Sequence, residues 1–120
     1  MKIFLQSFGR KYGVPEADIV LDVRCLENPF WVSELKPLSG LDAPVRDYIF
    51  ANQESLAYAQ KAAELLKLQA HLAQKKEREK LLVAIGCTGG RHRSVALTEF
   101  LAHELCEYEI EVHHRDIGRG

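Results

Sequence analysis

The chain has 120 residues, 47% of them hydrophobic and 28% charged, with a net charge of -1. That composition fits one globular domain and excludes both a disordered chain and a globally basic nucleic-acid binder. No apolar stretch approaches the ~20 residues that cross a bilayer, and three cysteines without paired spacing point to no disulfide framework and to a reducing, cytoplasmic setting.

The first segment, residues 1–8, carries Ile3, Phe4, Leu5 and Phe8 and reads as a strand, its apolar run being too soon interrupted for a signal peptide. Residues 9–15 read as a turn or short helix punctuated by Gly13 and Pro15. I-V-L-D-V, residues 19–23, reads as a short strand buried on both faces. Residues 24–41 form a long irregular loop holding Pro29, Pro37, Gly40 and the single tryptophan, Trp31. Loops of this length in a small domain usually serve function.

Asp42, with Pro44 behind it, has the chemistry of a helix N-cap. The helical pattern that follows breaks near residues 51–54 and then places Leu56, Ala59, Ala63, Leu66, Ala70 and Ala73 on one stripe. Q-K-K-E-R-E-K, residues 74–80, reads as a charged, solvated helix end. Residues 81–85 are a third strand. A further helix carries Leu97, Leu101 and Leu105, with Phe100 beside them, and residues 108–113 alternate like an edge strand. Strands alternating with helices predict a single α/β domain over residues 1–120. Its mostly parallel four-stranded sheet is flanked by helices, with an anion site at the carboxyl ends of the strands.

The stretch V-A-I-G-C-T-G-G-R-H-R-S-V, residues 83–95, lies between a strand and a helix. Glycines there let the backbone approach a ligand, and loop amides can converge on one point beside a helix N-terminus. Arg91 and Arg93 add forked donors suited to phosphate or carboxylate. Thr88, Gly89, Gly90, Arg91, His92, Arg93 and Ser94 are therefore the candidate anion-binding residues, and His92 is expected to add charge by gaining a proton.

The spacing of Cys87, Gly90, Arg93 and Ser94 also resembles the phosphate loop of cysteine-dependent phosphatases, in which a thiolate attacks phosphorus and the arginine holds its oxygens. Asp22 and Asp116 are the conceivable acids for the leaving group. No Walker A string and no G-x-G-x-x-G occurs. His113 and His114 are adjacent and so project to opposite faces of a strand, and His71 and His103 lack ligand spacing, so no metal or other cofactor is expected.

These residues carry a family resemblance. G-C-T-G-G-R-H-R-S-V, S-F-G-R-K-Y-G-V-P at residues 7–15, D-V-R-C-L-E-N-P-F-W at 22–31, L-K-P-L-S-G-L-D-A-P-V at 35–45 and H-R-D-I at 114–117 resemble blocks of the RapZ C-terminal domain in the same order. Family members typically carry an N-terminal P-loop domain, so the chain resembles a stand-alone C-terminal domain. The resemblance implies an α/β fold and an anion pocket built from Thr88, Gly89, Gly90, His92 and Arg93, with Arg24 and Asn28 from the second loop. It implies sensing of an amino-sugar phosphate, glucosamine-6-phosphate, and binding of a structured small RNA that is presented to a ribonuclease.

Two departures stand out. Phe30 occupies the place of a histidine in the best-known member, and the C-terminal end, with Arg115 and Arg119, is far less basic than that member's tail. Fewer phosphate contacts mean weaker, salt-sensitive RNA binding.

The leading reading is thus a non-catalytic domain for a phosphorylated metabolite, a sugar phosphate or nucleotide sugar, with an RNA-related regulatory or adapter role. Arg10, Lys11, Arg115 and Arg119 are its RNA-facing candidates. The alternative reading is a phosphatase using Cys87 and Arg93. Association with a membrane is not expected, and the leucine- and alanine-rich helix face is either core or the interface of a homo-oligomer.

Overall fold

The computed structural model describes residues 1–119. Strands β1 (Lys2–Gly9), β2 (Ile19–Asp22), β3 (Lys80–Cys87) and β4 (Glu109–His114) make one sheet in the order β2-β3-β1-β4, with every pairing parallel. Helices α1 (Ala43–Ala51), α2 (Gln53–Lys75) and α3 (Arg93–Glu104) complete the fold, with short 3-10 turns at Arg10–Tyr12 and Pro29–Trp31. None of the described helices is long and apolar enough to cross a membrane.

The register sets Ile3 beside Leu81 and Ile110, and Leu5 beside Val83 and Val112. These residues form one face of the sheet, and the core lies between that face and Val45, Ile49, Leu66, Leu97 and Leu101 of the helices. The other face carries Lys2, Phe4, Gln6, Leu82 and Glu111, all half-buried or exposed. β2 departs from expectation here. It is an edge strand, with Ile19 and Leu21 packed on the core and Val20 and Asp22 facing out, because only one sheet face is covered at that edge. β4 is the opposite edge and alternates as read from the sequence.

Asp42 stands at the N-cap of α1, and its carbonyl accepts the Val45 and Arg46 amides, but its carboxylate turns back to the Ser39 N–H at 2.8 Å. The break between α1 and α2 falls at Asn52, whose side-chain oxygen caps the Ser55 N–H at 2.9 Å. α2 buries Ser55, Ala59, Ala62, Ala63, Leu66, Ala70 and Ala73, a narrow small-residue stripe from which Leu56 is displaced to half-burial. The charged run at residues 74–80 is only partly helical. Glu77 adopts a left-handed φ of 61°, the Arg78 amide reaches the Ala73 carbonyl and the Glu77 amide reaches that of Gln74. This is a Schellman stop, and it turns the chain into β3 at Lys80.

Candidate anion site

The parallel register places Gly9, at the end of β1, level with Cys87, at the end of β3. The two strand-end loops then touch through glycines. A Cβ on Gly9 would sit 2.5 Å from the Gly89 carbonyl carbon. Gly90 has a φ of 77°, and a Cβ there would lie 2.5 Å from the Gly9 nitrogen and 2.9 Å from the Asp116 Cβ. Only glycine meets both demands, the left-handed backbone and the close approach.

Beneath the loop, the Gly90 N–H donates to Cys87 Sγ at 3.2 Å, and the Cys87 thiol donates to Ser94 Oγ at 3.1 Å. The Thr98 hydroxyl bonds the Ser94 carbonyl at 2.7 Å, which fixes the first turn of α3. No side chain caps that helix, and Arg93, Ser94 and Val95 of its first turn are buried. First-turn amides have no acceptor within a helix, so this end offers donors and partial positive charge.

A cavity of about 680 Å³ opens beside these donors. Cys87, Thr88, Gly89 and residues Arg91, His92 and Arg93 line one part of it. Lys11 and Arg119 bring cations from the ends of β1 and of the chain, and the loop between β2 and α1 adds Asn28, Phe30, Trp31, Ser33, Lys36 and Pro37.

Arg91, His92 and Arg93 do more than line it. Arg91 Nε donates to the Leu38 carbonyl at 3.0 Å and its Nη2 to that of Pro37, while the Gly40 N–H returns a bond to the Arg91 carbonyl at 2.9 Å. His92 Nε2 donates to the Lys36 carbonyl at 3.2 Å. Arg93 Nη1 donates to the Arg24 carbonyl at 2.6 Å and to that of Leu26 at 3.5 Å. All three thus strap the long loop to the glycine loop. His92 also departs from the expectation that it gains a proton. Burial pushes its pKa below the ordinary histidine value of 6.5, against the raising effect of the Lys36 and Leu38 carbonyls.

Of the two second-loop candidates, Asn28 lines the cavity and Arg24 does not. The Arg24 guanidinium pairs with Asp22 at 2.6 Å, and that bond holds the Asp22 carboxyl at about 2. Arg24 meets the site through its carbonyl alone. Gly90 and Ser94 lie behind the lining as supports.

Asp116 is fully buried at the back of the site. It accepts the Gly9 N–H at 2.8 Å and pairs with Arg115 at 2.8 Å and Arg119 at 3.1 Å. Burial alone would raise its pKa, but the Arg115, Gly9 and Arg119 donors outweigh it and hold the carboxyl below 3.8. Arg115 also bonds the Gly13 carbonyl at 2.6 Å, so this RNA candidate is spent on the fold. Arg119, stacked 4.8 Å over Tyr12, and Lys11 reach the cavity, whereas Arg10 stays outside it. Neither Asp22 nor Asp116 lines the cavity. Ser33, Lys36 and Pro37 line the cavity without having been singled out as site residues, and the length of their irregular loop was the signal for them. Among the described residues no three His, Cys, Asp or Glu side chains gather as a metal site would require.

Comparison with known proteins identifies the family. Residues 1–118 match the family described as the RapZ C-terminal domain. The chain belongs to that family. As a RapZ C-terminal domain it is similar to longer proteins. A nucleotide-binding protein of Carboxydothermus hydrogenoformans is 48% identical over 99% of this chain and 42% of its own length. Nucleotide-binding proteins of Lactobacillus helveticus and Thermobifida fusca are 46% and 47% identical over 98% and 94% of this chain, and 41% and 40% of theirs. The RapZ C-terminal domain described here therefore spans about two-fifths of the length of these relatives.

Proposed function

We propose that this domain is a non-catalytic module that binds a phosphorylated metabolite, a sugar phosphate such as glucosamine-6-phosphate or a nucleotide sugar, in an RNA-related regulatory or adapter role. One observation carries the ligand half. A single cavity joins the glycine loop and uncapped start of α3 to Lys11, Lys36, Arg93 and Arg119, and among the described residues its lining includes no carboxylate. Positive charge is thus supplied from four chain segments, with no competing carboxylate among the described lining residues. Charge-assisted hydrogen bonds contribute about 1.5–3 kcal/mol each, and a few of them reach micromolar affinity, about -8 kcal/mol. The RNA half draws on the family membership and on Lys11 and Arg119 at the cavity, with Arg10 near them.

The test is calorimetry and thermal shift with glucosamine-6-phosphate, a UDP-sugar, citrate and sulfate. The proposal expects saturable binding of a phosphorylated compound that weakens in Lys11→Ala and Arg119→Ala. Melting curves unmoved by all four at millimolar levels overturn it.

Cys87 favours a second reading, because it lines the cavity close in sequence to Arg93 and takes the Gly90 N–H on its sulfur. Against it stand the thiol's occupied hydrogen bond to Ser94 and the lack of a carboxyl among the described lining residues to protonate a leaving group. Hydrolysis of an aryl phosphate that disappears in Cys87→Ser would establish this reading; its absence from the parent chain removes it.

A further inference from the structure

The cavity is larger than its cationic end requires. A volume of about 680 Å³ is that of a site for a whole small molecule. One of its walls is the 3-10 turn Pro29–Trp31, where Trp31 is 79% exposed and Phe30 43%. A tryptophan this bare is uncommon on a folded surface. The turn is also well fixed. Phe30 meets Trp31 edge to face, at 5.3 Å and 85°. The Lys36 ammonium sits 4.4 Å over the Phe30 ring. Asn28 caps the turn, its side-chain oxygen accepting the Phe30 N–H at 3.1 Å and its carbonyl the Trp31 N–H at 3.3 Å. Trp31 therefore presents an exposed aromatic plane, on a turn whose backbone is fixed, to the cavity that the glycine loop also lines.

A bare oxyanion has no use for such a plane. A flat heteroaromatic ring joined by a few bonds to a phosphate engages both parts. We propose that the cavity takes a nucleoside phosphate, its phosphate on the glycine loop and its base stacked on Trp31. This rests on the anion-site reading above and narrows its ligand class. Base–aromatic stacking tolerates every base. Discrimination among bases falls to the Asn28 amide and the Ser33 hydroxyl, which line the cavity beside the rings and offer a donor and an acceptor to a base edge.

Trp31 is the single tryptophan, so its fluorescence reports on this wall alone. The full chain is titrated with adenosine 5′-monophosphate, uridine 5′-monophosphate, ribose 5-phosphate and sulfate at equal ionic strength. Affinity is read by calorimetry and stacking by Trp31 emission. Ribose 5-phosphate carries the same phosphate without a base. Both nucleotides are expected to bind about tenfold or more tighter than ribose 5-phosphate, the gain from one stacked base, and to quench Trp31. Trp31→Ala, at a site exposed enough to leave the fold intact, is expected to erase that advantage, bringing both nucleotides to the affinity of ribose 5-phosphate for the same variant. Nucleotides that bind no tighter than ribose 5-phosphate, or that bind without changing Trp31 emission, overturn the stacking proposal while the anion site stands. Failure of all four to bind overturns the stacking proposal, and the anion site falls with it when glucosamine-6-phosphate, the UDP-sugar and citrate also leave the melting curve unmoved.

Discussion

The buried carboxylate of Asp116 accepts the backbone N–H of Gly9 at 2.8 Å. That bond ties the last described turn of the chain to the end of the first strand, directly behind Gly90. Asp116→Asn keeps the shape but loses the charge that Arg115 and Arg119 face. We expect a loss of about 1.5–3 kcal/mol, the scale of a hydrogen bond to a charged group, read as a lower denaturation midpoint. Because the folded carboxyl titrates below its ordinary 3.8, its contribution is complete above that pH and is lost as pH falls through the folded value. The acid limb of the parent's stability profile should flatten in the variant.

His92 sets a second pH window. Its folded pKa lies below 6.5, so the unfolded ring takes a proton first as pH falls. Stability should be complete above pH 6.5 and decline below it, and His92→Gln should remove that decline. Sulfate, whose charge is constant across this range, should bind with about the same affinity at pH 7.5 and 6.5, since a neutral His92 contributes no added charge. A steep gain at the lower pH would show that the ring titrates in the site.

Gly89 and Gly90 should separate binding from folding. A Cβ at Gly89 meets nothing within 4 Å, whereas one at Gly90 meets Gly9 with a φ of 77°. Gly89→Ala should fold normally and weaken anion binding by placing a methyl on the cavity lining. Gly90→Ala should destabilise the domain by about 1–3 kcal/mol, the range for backbone strain at such a position. Paired melting curves and calorimetry check both.

Glu77 holds the left-handed position of a Schellman stop, a place that favours glycine. Glu77→Gly should raise stability by about 0.5–1 kcal/mol, since left-handed backbone costs other residues roughly 1–2 kcal/mol. The gain should leave ligand affinity untouched, because the turn lies outside the cavity lining.

The proposed RNA role offers a further division. Lys11→Ala and Arg119→Ala should weaken binding of structured RNA across sequences, each reducing the salt slope by about 1. Arg115→Ala should act chiefly through stability, since its guanidinium serves Asp116 and the Gly13 carbonyl.

Much of this architecture was legible locally. The strands, the helix break at Asn52 and the edge character of β4 follow from short-range periodicity and capping chemistry. The glycine loop was legible as a strand-to-helix turn, because its glycines interrupt the apolar run of β3 ahead of α3. What stayed hidden was set by pairing across the chain. Only the parallel register of β1 on β3 reveals that Gly9 abuts Gly89, or that Asp116 closes the back of the loop. Arg24 reads as a ligand residue until its neighbour Asp22 is seen to capture it. Lys36 and Phe30 gave no periodic signal, since they sit in an irregular segment held from outside by Arg91 and His92.

That manner of attachment has an evolutionary corollary. Arg91, His92 and Arg93 grip carbonyl oxygens of Lys36, Pro37, Leu38, Arg24 and Leu26, and every amino acid carries a carbonyl. Side chains along the gripped segment can therefore be exchanged without loosening their anchorage. A common frame could then be retuned for different small molecules by substitution at a handful of outward positions, with the fastenings left in place.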